Sequence, residues 1–471
     1  MDLLSQKPEN DHGLRFLPSR LQRMLFNNVS SWRTMIPSWW PAHYSRYNPN
    51  ATIAKQPVTA SPTAYMSGLR GLASLFVFIH HYPLDYFPHL HRGYLATSED
   101  TSLLQLPFVR IIYSGRFMVA IFFVLSGYVL SYKPIQLARS GNRAALLETL
   151  ASSVFRRFMR LFLPILLSSF FAMISCHYSW YGSLNLHIRV PPSIPFLAQL
   201  GTWFEDISKL MDPFTWTVYM PKYAGQLWTL PTEFRGSMLV FLCILGLCRV
   251  RSTVRMTFLA AFAIYCFWTR MHWDMFLFLS GTILAEAQTI QHELPFRWYV
   301  ADPDRGKLMR AAMRIFWVVT FALSLFLACW PDYNSDSSPG YVVLSNVTPA
   351  SYGGGDGRTK FWTCISAAMM LLSLENLPVL QRPLNTAFAA YLGEISFSLY
   401  IVHVPICYTF GRWLTVTCIE KTGSTVTGFG LAALVVTPVV FWIADVYWRL
   451  VDAKAVEFAR WTWMKCSIPK E

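Results

Sequence analysis

Long apolar stretches are the feature of this sequence that most restricts its fold. A stretch of about 20 apolar residues is long enough to cross a bilayer as an α-helix. Backbone N–H and C=O groups cannot stay unpaired in lipid, so stretches of this length are expected to be helical. Only 14% of the 471 residues are charged and 54% are hydrophobic, whereas a soluble domain has about 25% charged residues. We therefore predict an all-α polytopic membrane protein.

About ten segments are long and apolar enough to be predicted as membrane spans. They are 66–84, 116–133, 158–177, 227–248, 256–270, 273–288, 312–330, 360–374, 389–408 and 426–448. The chain accordingly divides into a basic N-terminal segment, 1–64, a transmembrane domain, 65–450, and a tail, 451–471.

Arginine and lysine are concentrated in alternate loops of this arrangement. They precede the first span and follow the even-numbered ones, as in Arg139, Arg143, Arg249, Arg251 and Arg449. The opposite loops, 85–115, 178–226, 331–359 and 409–425, are nearly balanced in charge. Because cytosolic loops carry the excess of basic residues, both termini are predicted to be cytosolic.

One glycosylation sequon, Asn346-Val-Thr348, lies in a predicted lumenal loop. The sequons at Asn28 and Asn50 lie on the predicted cytosolic side. Because glycans are added on the lumenal side, the sequence predicts a glycoprotein modified at Asn346 and unmodified at the other two positions.

Charge and cysteine usage argue against two other kinds of binding site. The net charge is +14, but the basic residues form short clusters between apolar stretches, which is typical of membrane-protein loops and not of nucleic-acid binding. The nine cysteines are scattered, and no pair has the spacing of a zinc site or a disulfide framework. We predict no metal site and no nucleic-acid partner.

The first span carries an arginine and a histidine eleven residues apart, Arg70 and His81. Eleven helical residues turn through about 1100° and rise about 16 Å. The two side chains are therefore predicted to share one face of the helix, while His80 is rotated away by about 100°. Ionisable residues inside membrane spans are costly and are candidates for function. Snorkelling would be an alternative for Arg70, and a hydrogen-bonded interior role an alternative for His81.

Other polar residues lie within or beside the predicted spans. Arg116 is at the lumenal end of the second span, and Ser126 lies inside it next to a glycine that favours close helix packing. His403 lies in the outer half of the ninth span. Asp445 in the tenth span is predicted to pair with Arg449 at i+4.

The fourth span begins with Trp228-Thr-Leu-Pro-Thr-Glu233. Pro231 is predicted to break or kink the helix and to free carbonyl groups into a cavity. Glu233 would then be a carboxylate inside the bundle.

Four of these elements occur together and in order: Arg70-x10-His81, Phe122-Phe-Val-Leu-Ser-Gly-Tyr128, Trp228-Thr-Leu-Pro-Thr-Glu233 and Ser396-Phe-Ser-Leu-Tyr-Ile-Val-His403. Across residues 60–450 the chain resembles the acyltransferase-3 family of integral-membrane acyltransferases, in particular its fungal branch. The resemblance implies transfer of an acyl group, often acetyl, from cytosolic acyl-CoA to a hydroxyl. The family's arginine–histidine pair corresponds to Arg70 and His81, and its tryptophan and glutamate to Trp228 and Glu233.

This chemistry suggests a role for each residue. His81 would be the general base, or alternatively a transient acyl carrier, because neutral histidine accepts a proton near pH 7. Glu233 would orient His81, as carboxylates do in hydrolytic triads. Arg70 would bind the donor's phosphates. Acyl-CoA, expected to be acetyl-CoA, is a co-substrate, and no bound cofactor is expected.

The acceptor is predicted to be a small fungal secondary metabolite. A cell-surface or lumenal glycan is the alternative acceptor. A secondary transporter is the alternative function, because ionisable residues and an interrupted helix also suit a carrier. Carriers usually contain two matching halves, and the sequence shows no such repeat.

Overall fold

The computed structural model describes residues 37–38, 63–181, 194–215, 217–293 and 303–468. The helices longer than ten residues are α1 Ala64–Leu84, α2 Gly115–Arg139, α3 Arg143–His177, α4 Phe196–Leu210, α5 Thr229–Leu247, α6 Ser252–Arg270, α7 Trp273–Glu293, α8 Pro303–Ala328, α9 Gly357–Asn376, α10 Ala387–Ile406, α11 Arg412–Thr422, α12 Thr425–Tyr447 and α13 Ala453–Cys466. Shorter helical turns are Pro88–His91, Leu103–Gln105, Arg110–Tyr113, Gly225–Trp228, Val342–Val347, Ala350–Tyr352, Pro378–Gln381 and Pro383–Asn385. No strand forms within the described ranges, so the all-α prediction is confirmed. Almost all of the predicted N-terminal segment, with Asn28 and Asn50, lies outside the described residues.

Every predicted span coincides with a helix, but fewer than ten helices are apolar enough to cross a membrane. Among the described residues six helices meet this requirement, or seven if the bent pair Gly357–Asn376 and Pro378–Asn385 forms one span. The three predicted spans that fall short are α1, α6 and α7. They are long enough but carry charged and polar residues that lower their hydropathy, as Arg70 does in α1 and Glu286 in α7.

The position of α1 explains why it tolerates this polarity. Its residues Tyr65 and Val77 belong to a buried cluster shared with α2, α5, α7 and α9. Phe78 and Tyr82 belong to a second cluster shared with α3, α10 and α12. Because α1 packs between the two halves of the core, its composition is set by neighbouring helices more than by lipid.

Two helices continue beyond the ends predicted from sequence. α10 passes through a π-helical turn, Cys407–Gly411, into α11, and α12 passes through a second, Trp448–Asp452, into α13. Much of the predicted tail is thus helical and packs on α3. The predicted pair is confirmed, because Arg449 Nη2 lies 2.8 Å from Asp445 Oδ2.

Close contact between α1 and α10 depends on two glycines. A Cβ added to Gly71 would overlap the backbone nitrogen of Gly393, and one added to Gly393 would overlap the carbonyl of Ser67. The Ser74 hydroxyl also donates to the Ser396 carbonyl at 2.8 Å. The contacts follow one another in the same direction along both helices, so α1 and α10 are parallel. This is expected, because they are the first and ninth predicted spans and odd-numbered spans run in one direction.

Replacing Gly71 with Ala should destabilise the bundle by about 1–3 kcal/mol, because the added methyl forces the two backbones apart. The matched control is Gly246→Ala on α5, where an added Cβ meets nothing within 4 Å. The melting temperature of each detergent-purified variant would be compared with wild type. Equal melting temperatures for the two variants would show that the contact between α1 and α10 is not tightly packed.

The loops assigned to the lumenal side lie together in the structure. Asp332 in the loop 331–359 donates its N–H to the carbonyl of His91 in the loop 85–115 at 3.0 Å. Asn346 lies in the same region on the short helix Val342–Val347, and its side chain is exposed.

Expression in a eukaryotic secretory membrane should yield a glycoprotein whose mass falls after glycosidase treatment. The Asn346→Gln variant should lack this shift, since its exposed acceptor amide is removed. Electrophoresis with and without glycosidase measures the result. A shift that persists in Asn346→Gln and disappears in an Asn28→Gln or Asn50→Gln variant would reverse the predicted orientation.

Candidate active site

Arg70 and His81 both contact α10, which confirms that they share one face of α1. Arg70 Nη2 donates to the Gly393 carbonyl at 2.8 Å. The His81 ring centroid lies 5.3 Å from that of His403. Gly393 and His403 are ten residues apart, so the two contacts are separated by about 15 Å along α10.

Around His81 the structure places two further histidines with different surroundings. His403 is fully buried, and its Nδ1 lies 2.9 Å from the Leu399 carbonyl. A carbonyl oxygen can only accept, so Nδ1 carries the proton and Nε2 is the basic nitrogen of neutral His403. His80 Nδ1 lies 2.8 Å from the Tyr113 carbonyl, and its ring packs against Gly115 at the start of α2. These contacts give His80 a role in joining α1 to α2.

Beyond His80, a polar cluster leads to the lumenal loops. The His80 and His91 ring centroids are 6.0 Å apart, and His91 Nδ1 lies 2.9 Å from Asp332 Oδ2. Arg116 Nε lies 3.1 Å from Asp332 Oδ1, and its Nη1 lies 3.2 Å from Asp356 Oδ2. Arg116 therefore ties the start of α2, the end that is predicted to be lumenal, to the loop 331–359.

Asp332 is held ionised by this cluster. Burial opposes the charged form, but the hydrogen bond from His91 and the nearby guanidinium groups of Arg116 and Arg110 keep the pKa of Asp332 well below its usual range. A group with a lowered pKa contributes stability at neutral pH that is lost as pH falls toward that pKa. Asp332 is thus suited to anchoring the loop and not to donating a proton near pH 7.

The element that begins with Trp228 is attached to α10 beside His403. The Gln226 amide donates to the Ile401 carbonyl at 3.2 Å, and the hydroxyls of Thr229 and Tyr400 are 2.6 Å apart. The Tyr400 ring centroid lies 6.0 Å from that of His403. These bonds position the start of α5 against the histidines.

Contrary to the prediction, Pro231 does not kink the fourth span. α5 begins at Thr229 after the 3₁₀ turn Gly225–Trp228, so Pro231 lies in the first helical turn. Amide groups in the first turn have no partner within the helix, and the missing N–H of proline costs nothing there. Trp228 lies at this junction, with its ring centroid 6.2 Å from that of Trp273 on α7.

Glu233 forms an ion pair with Arg157 of α3, and the two side chains are only 14% and 10% exposed. Ser126 of α2 lies near the Glu233 carboxylate. Arg157 Nε donates to the Ser237 hydroxyl at 2.9 Å, and that hydroxyl donates to the Glu233 carbonyl at 2.6 Å. The structure therefore gives the Glu233 carboxylate an arginine partner, whereas the sequence had suggested His81. Its role in orienting His81 stays a prediction.

A second set of charges surrounds Arg70 at the other end of α1. The charged groups near Arg70 include those of Arg160, Asp452 and Glu233. The side chains of Arg70 and Arg160 are both exposed. Two accessible guanidinium groups at this end can bind an anion from solution.

Sequence reasoning did not single out several members of these clusters. The sequence suggested Arg156, Arg157 and Arg160 only as alternatives to Arg70 for binding the donor, and it did not predict that Arg157 pairs with Glu233. Asp332 follows an apolar span directly, and an acidic residue at that place could have drawn attention. Tyr400 lies within the element Ser396–His403 that carries the resemblance, but an aromatic residue in a membrane helix gave no separate signal of a role.

Comparisons with known proteins show which family this chain resembles. A family model described as an acyltransferase domain, that of acyltransferase-3, matches residues 63–449. The O-acetyltransferase PaAT-1 of Phomopsis amygdali is 32% identical over 431 residues, covering 86% of this chain and 85% of that protein. Acyltransferase clz18 of Cochliobolus lunatus is 24% identical, covering 87% of this chain and 97% of that protein. Acyltransferase R4 of a Phoma species is 25% identical, covering 85% and 95%. No solved structure matches this chain.

The family match covers both ends of the candidate site, from Arg70 to His403, and the most apolar helices of the bundle. The named relatives are fungal acyltransferases. The chain therefore belongs to the acyltransferase-3 family and is a multi-pass membrane enzyme, an acyltransferase.

Proposed function

We propose that the chain transfers an acetyl group from acetyl-CoA to a hydroxyl of a small fungal metabolite. The observation that carries this proposal is the shared face of α1. Arg70 is accessible near one end of that face and His81 lies against His403 near the other. This arrangement suits a donor whose phosphates and thioester must be held far apart.

Binding of the donor is expected at the end where Arg70 and Arg160 lie. Guanidinium groups bind phosphate through paired hydrogen bonds, and the predicted topology places this end toward the cytosol. The pantetheine arm of CoA is long enough to extend from there toward His81, about 16 Å along the helix. The nearby Glu233 and Asp452 limit the net positive charge, so the site would favour the phosphate end without trapping the product CoA.

Acyl transfer would then proceed at His81. The histidine takes the proton of the acceptor hydroxyl as its oxygen attacks the thioester carbonyl. The tetrahedral intermediate collapses by breaking the carbon–sulfur bond, and the protonated His81 returns the proton to the departing thiolate. The reaction forms one ester and one thiol and leaves the enzyme unchanged. The basic nitrogen of the buried His403 is suited to stabilising the charged imidazolium.

An acetyl donor and a hydroxyl acceptor are suggested by the printed name of one relative, an O-acetyltransferase. A small metabolite is the proposed acceptor, in fungal secondary-metabolite biosynthesis, and a glycan is the rival. Purified protein should release free thiol from acetyl-CoA only when the acceptor is present.

Metabolite extracts from fungal cells with and without the gene identify the acceptor class. We expect a compound that gains the mass of one acetyl group only in cells that contain the protein. Loss of acetyl groups from cell-surface glycan, with unchanged metabolites, would overturn the proposal in favour of the glycan.

Arg70→Ala should raise KM for acetyl-CoA roughly 10- to 100-fold, because a charge-assisted contact with phosphate is lost. Arg70→Lys should recover part of this loss, since an ammonium keeps the charge but not the paired geometry. Initial rates at varied acetyl-CoA concentration measure the effect. An unchanged KM in Arg70→Ala would show that Arg70 does not bind the donor's phosphates, which would leave Arg156, Arg157 and Arg160 as the candidates.

A further inference from the structure

We propose that the chain binds the headgroup of an anionic phospholipid in a basic cavity at the membrane surface. The cavity lies between the turn that joins α2 to α3 and the turn that joins α5 to α6. It has a volume of about 510 Å³ and is lined by five arginines, Arg139, Arg143, Arg249, Arg251 and Arg255. We call it the arginine cavity. Ligand sites commonly have volumes of about 300–1,000 Å³, so the arginine cavity is large enough for a phosphorylated headgroup.

One wall of the arginine cavity is rigid and buried. Arg255 is 4% exposed, and its Nε donates to Glu286 Oε2 at 2.6 Å. Arg255 Nη1 also donates to the carbonyls of Leu247 and Val250 at 3.3 and 3.4 Å, where α5 ends. These bonds hold the turn between α5 and α6 in place, so the cavity exists before any ligand binds.

The charge of the arginine cavity is strongly positive. Among the described residues that line it, no aspartate or glutamate occurs, and Glu286 lies behind Arg255. Arg139 also faces Glu286, with its Nη1 3.7 Å from Glu286 Oε1. Arg143, Arg249 and Arg251 are exposed. Like charges that converge on one cavity repel each other, and a multiply charged anion would remove that repulsion.

The surroundings of the cavity favour a lipid over a soluble anion. Each exposed arginine has an exposed apolar residue three or four positions away, inside the helix that adjoins the turn. These residues are Leu147 beside Arg143, Leu245 beside Arg249 and Val254 beside Arg251, with exposures of 54%, 45% and 55%. A headgroup in the cavity would thus leave its acyl chains on apolar helix surfaces.

The predicted orientation places both turns at the cytosolic leaflet, where anionic lipids are concentrated. Basic pockets between membrane helices on that side recognise phosphorylated headgroups. The arginine cavity is separate from the cleft near the candidate active site, a space of about 80 Å³ lined by Arg156, Arg157, Arg160 and Arg460. The inference does not rest on the proposed function, because binding can be measured without donor or acceptor.

The test uses the full-length chain in neutral detergent and native mass spectrometry to follow bound lipid. The probe is phosphatidylinositol 4-phosphate with short acyl chains, and phosphatidylcholine with the same chains is the uncharged comparison. The variant Arg143→Gln/Arg249→Gln/Arg251→Gln should bind the phosphoinositide roughly 100-fold more weakly than wild type. These three side chains are exposed, so the variant is expected to fold.

The matched control is Arg310→Gln/Arg382→Gln/Lys465→Gln, which removes three exposed charges elsewhere on the predicted cytosolic side. Its affinity for the phosphoinositide should stay close to that of wild type. Equal losses in both triple variants, or equal binding of phosphatidylcholine, would overturn the proposal. Competition by CoA or by the deacylated headgroup that matches the intact lipid in strength would show a soluble-phosphate site instead.

Discussion

His81→Asn should lower the turnover number by roughly 10²–10⁴-fold, because the group that takes the hydroxyl proton is lost. The affinity for acetyl-CoA should change little, since the donor is expected to bind at Arg70, near the opposite end of α1. The two quantities separate in steady-state kinetics and in a direct acetyl-CoA binding measurement. A folded His81→Asn variant with wild-type turnover would remove His81 from the mechanism.

His80→Asn is the matched control for this experiment. The asparagine amide can keep the bond to the Tyr113 carbonyl that His80 Nδ1 makes at 2.8 Å, so the junction between α1 and α2 should survive. Turnover in His80→Asn should stay within about tenfold of wild type if the residue only joins these helices. If His80→Asn abolishes turnover and His81→Asn does not, the catalytic histidine is His80.

Glu233→Gln should destabilise the protein by about 3–5 kcal/mol, because it leaves Arg157 charged and without its carboxylate inside the bundle. The double variant Arg157→Gln/Glu233→Gln should recover most of this loss, since two neutral amides replace the ion pair. Melting temperatures of the wild type, of Glu233→Gln, of Arg157→Gln and of the double variant complete a double-mutant cycle. A melting temperature of Glu233→Gln equal to that of wild type would show that the ion pair does not support the fold.

Turnover in the double variant then tests the role predicted for Glu233 at His81. If the carboxylate orients the histidine, turnover should remain low although stability has recovered. Recovery of both stability and turnover would show that Glu233 acts only through Arg157. Lowered turnover with an unchanged pH profile would contradict an effect on His81, because a lost carboxylate should shift the pH dependence of the base.

Features that depend on neighbouring residues in one helix were predictable from the sequence. The apolar stretches indicated the helices, because a segment in lipid must be apolar along its length and must pair its own backbone polar groups. The shared face of Arg70 and His81 follows from helical periodicity alone. The Asp445–Arg449 pair was likewise predictable, because the two residues are about one helical turn apart.

Position within the bundle altered several of these local predictions. Proline inside an apolar stretch suggested a kink, but the chain begins α5 at Thr229 and places Pro231 in the first turn. Ten stretches suggested ten equivalent spans, yet α1 is enclosed by other helices and can be more polar than a lipid-facing span. Local apolarity does not reveal which helix will be enclosed.

The sequence by itself determined the class of fold, the family motifs and the alignment of Arg70 with His81 along α1. Only the tertiary structure decided that Glu233 pairs with Arg157, 76 residues away in the chain, and that His81 lies against His403. The physical reason is the separation along the chain of the residues that interact. Helix geometry is set by interactions over three or four residues, whereas contacts between helices depend on how all side chains of the bundle fill the space between them.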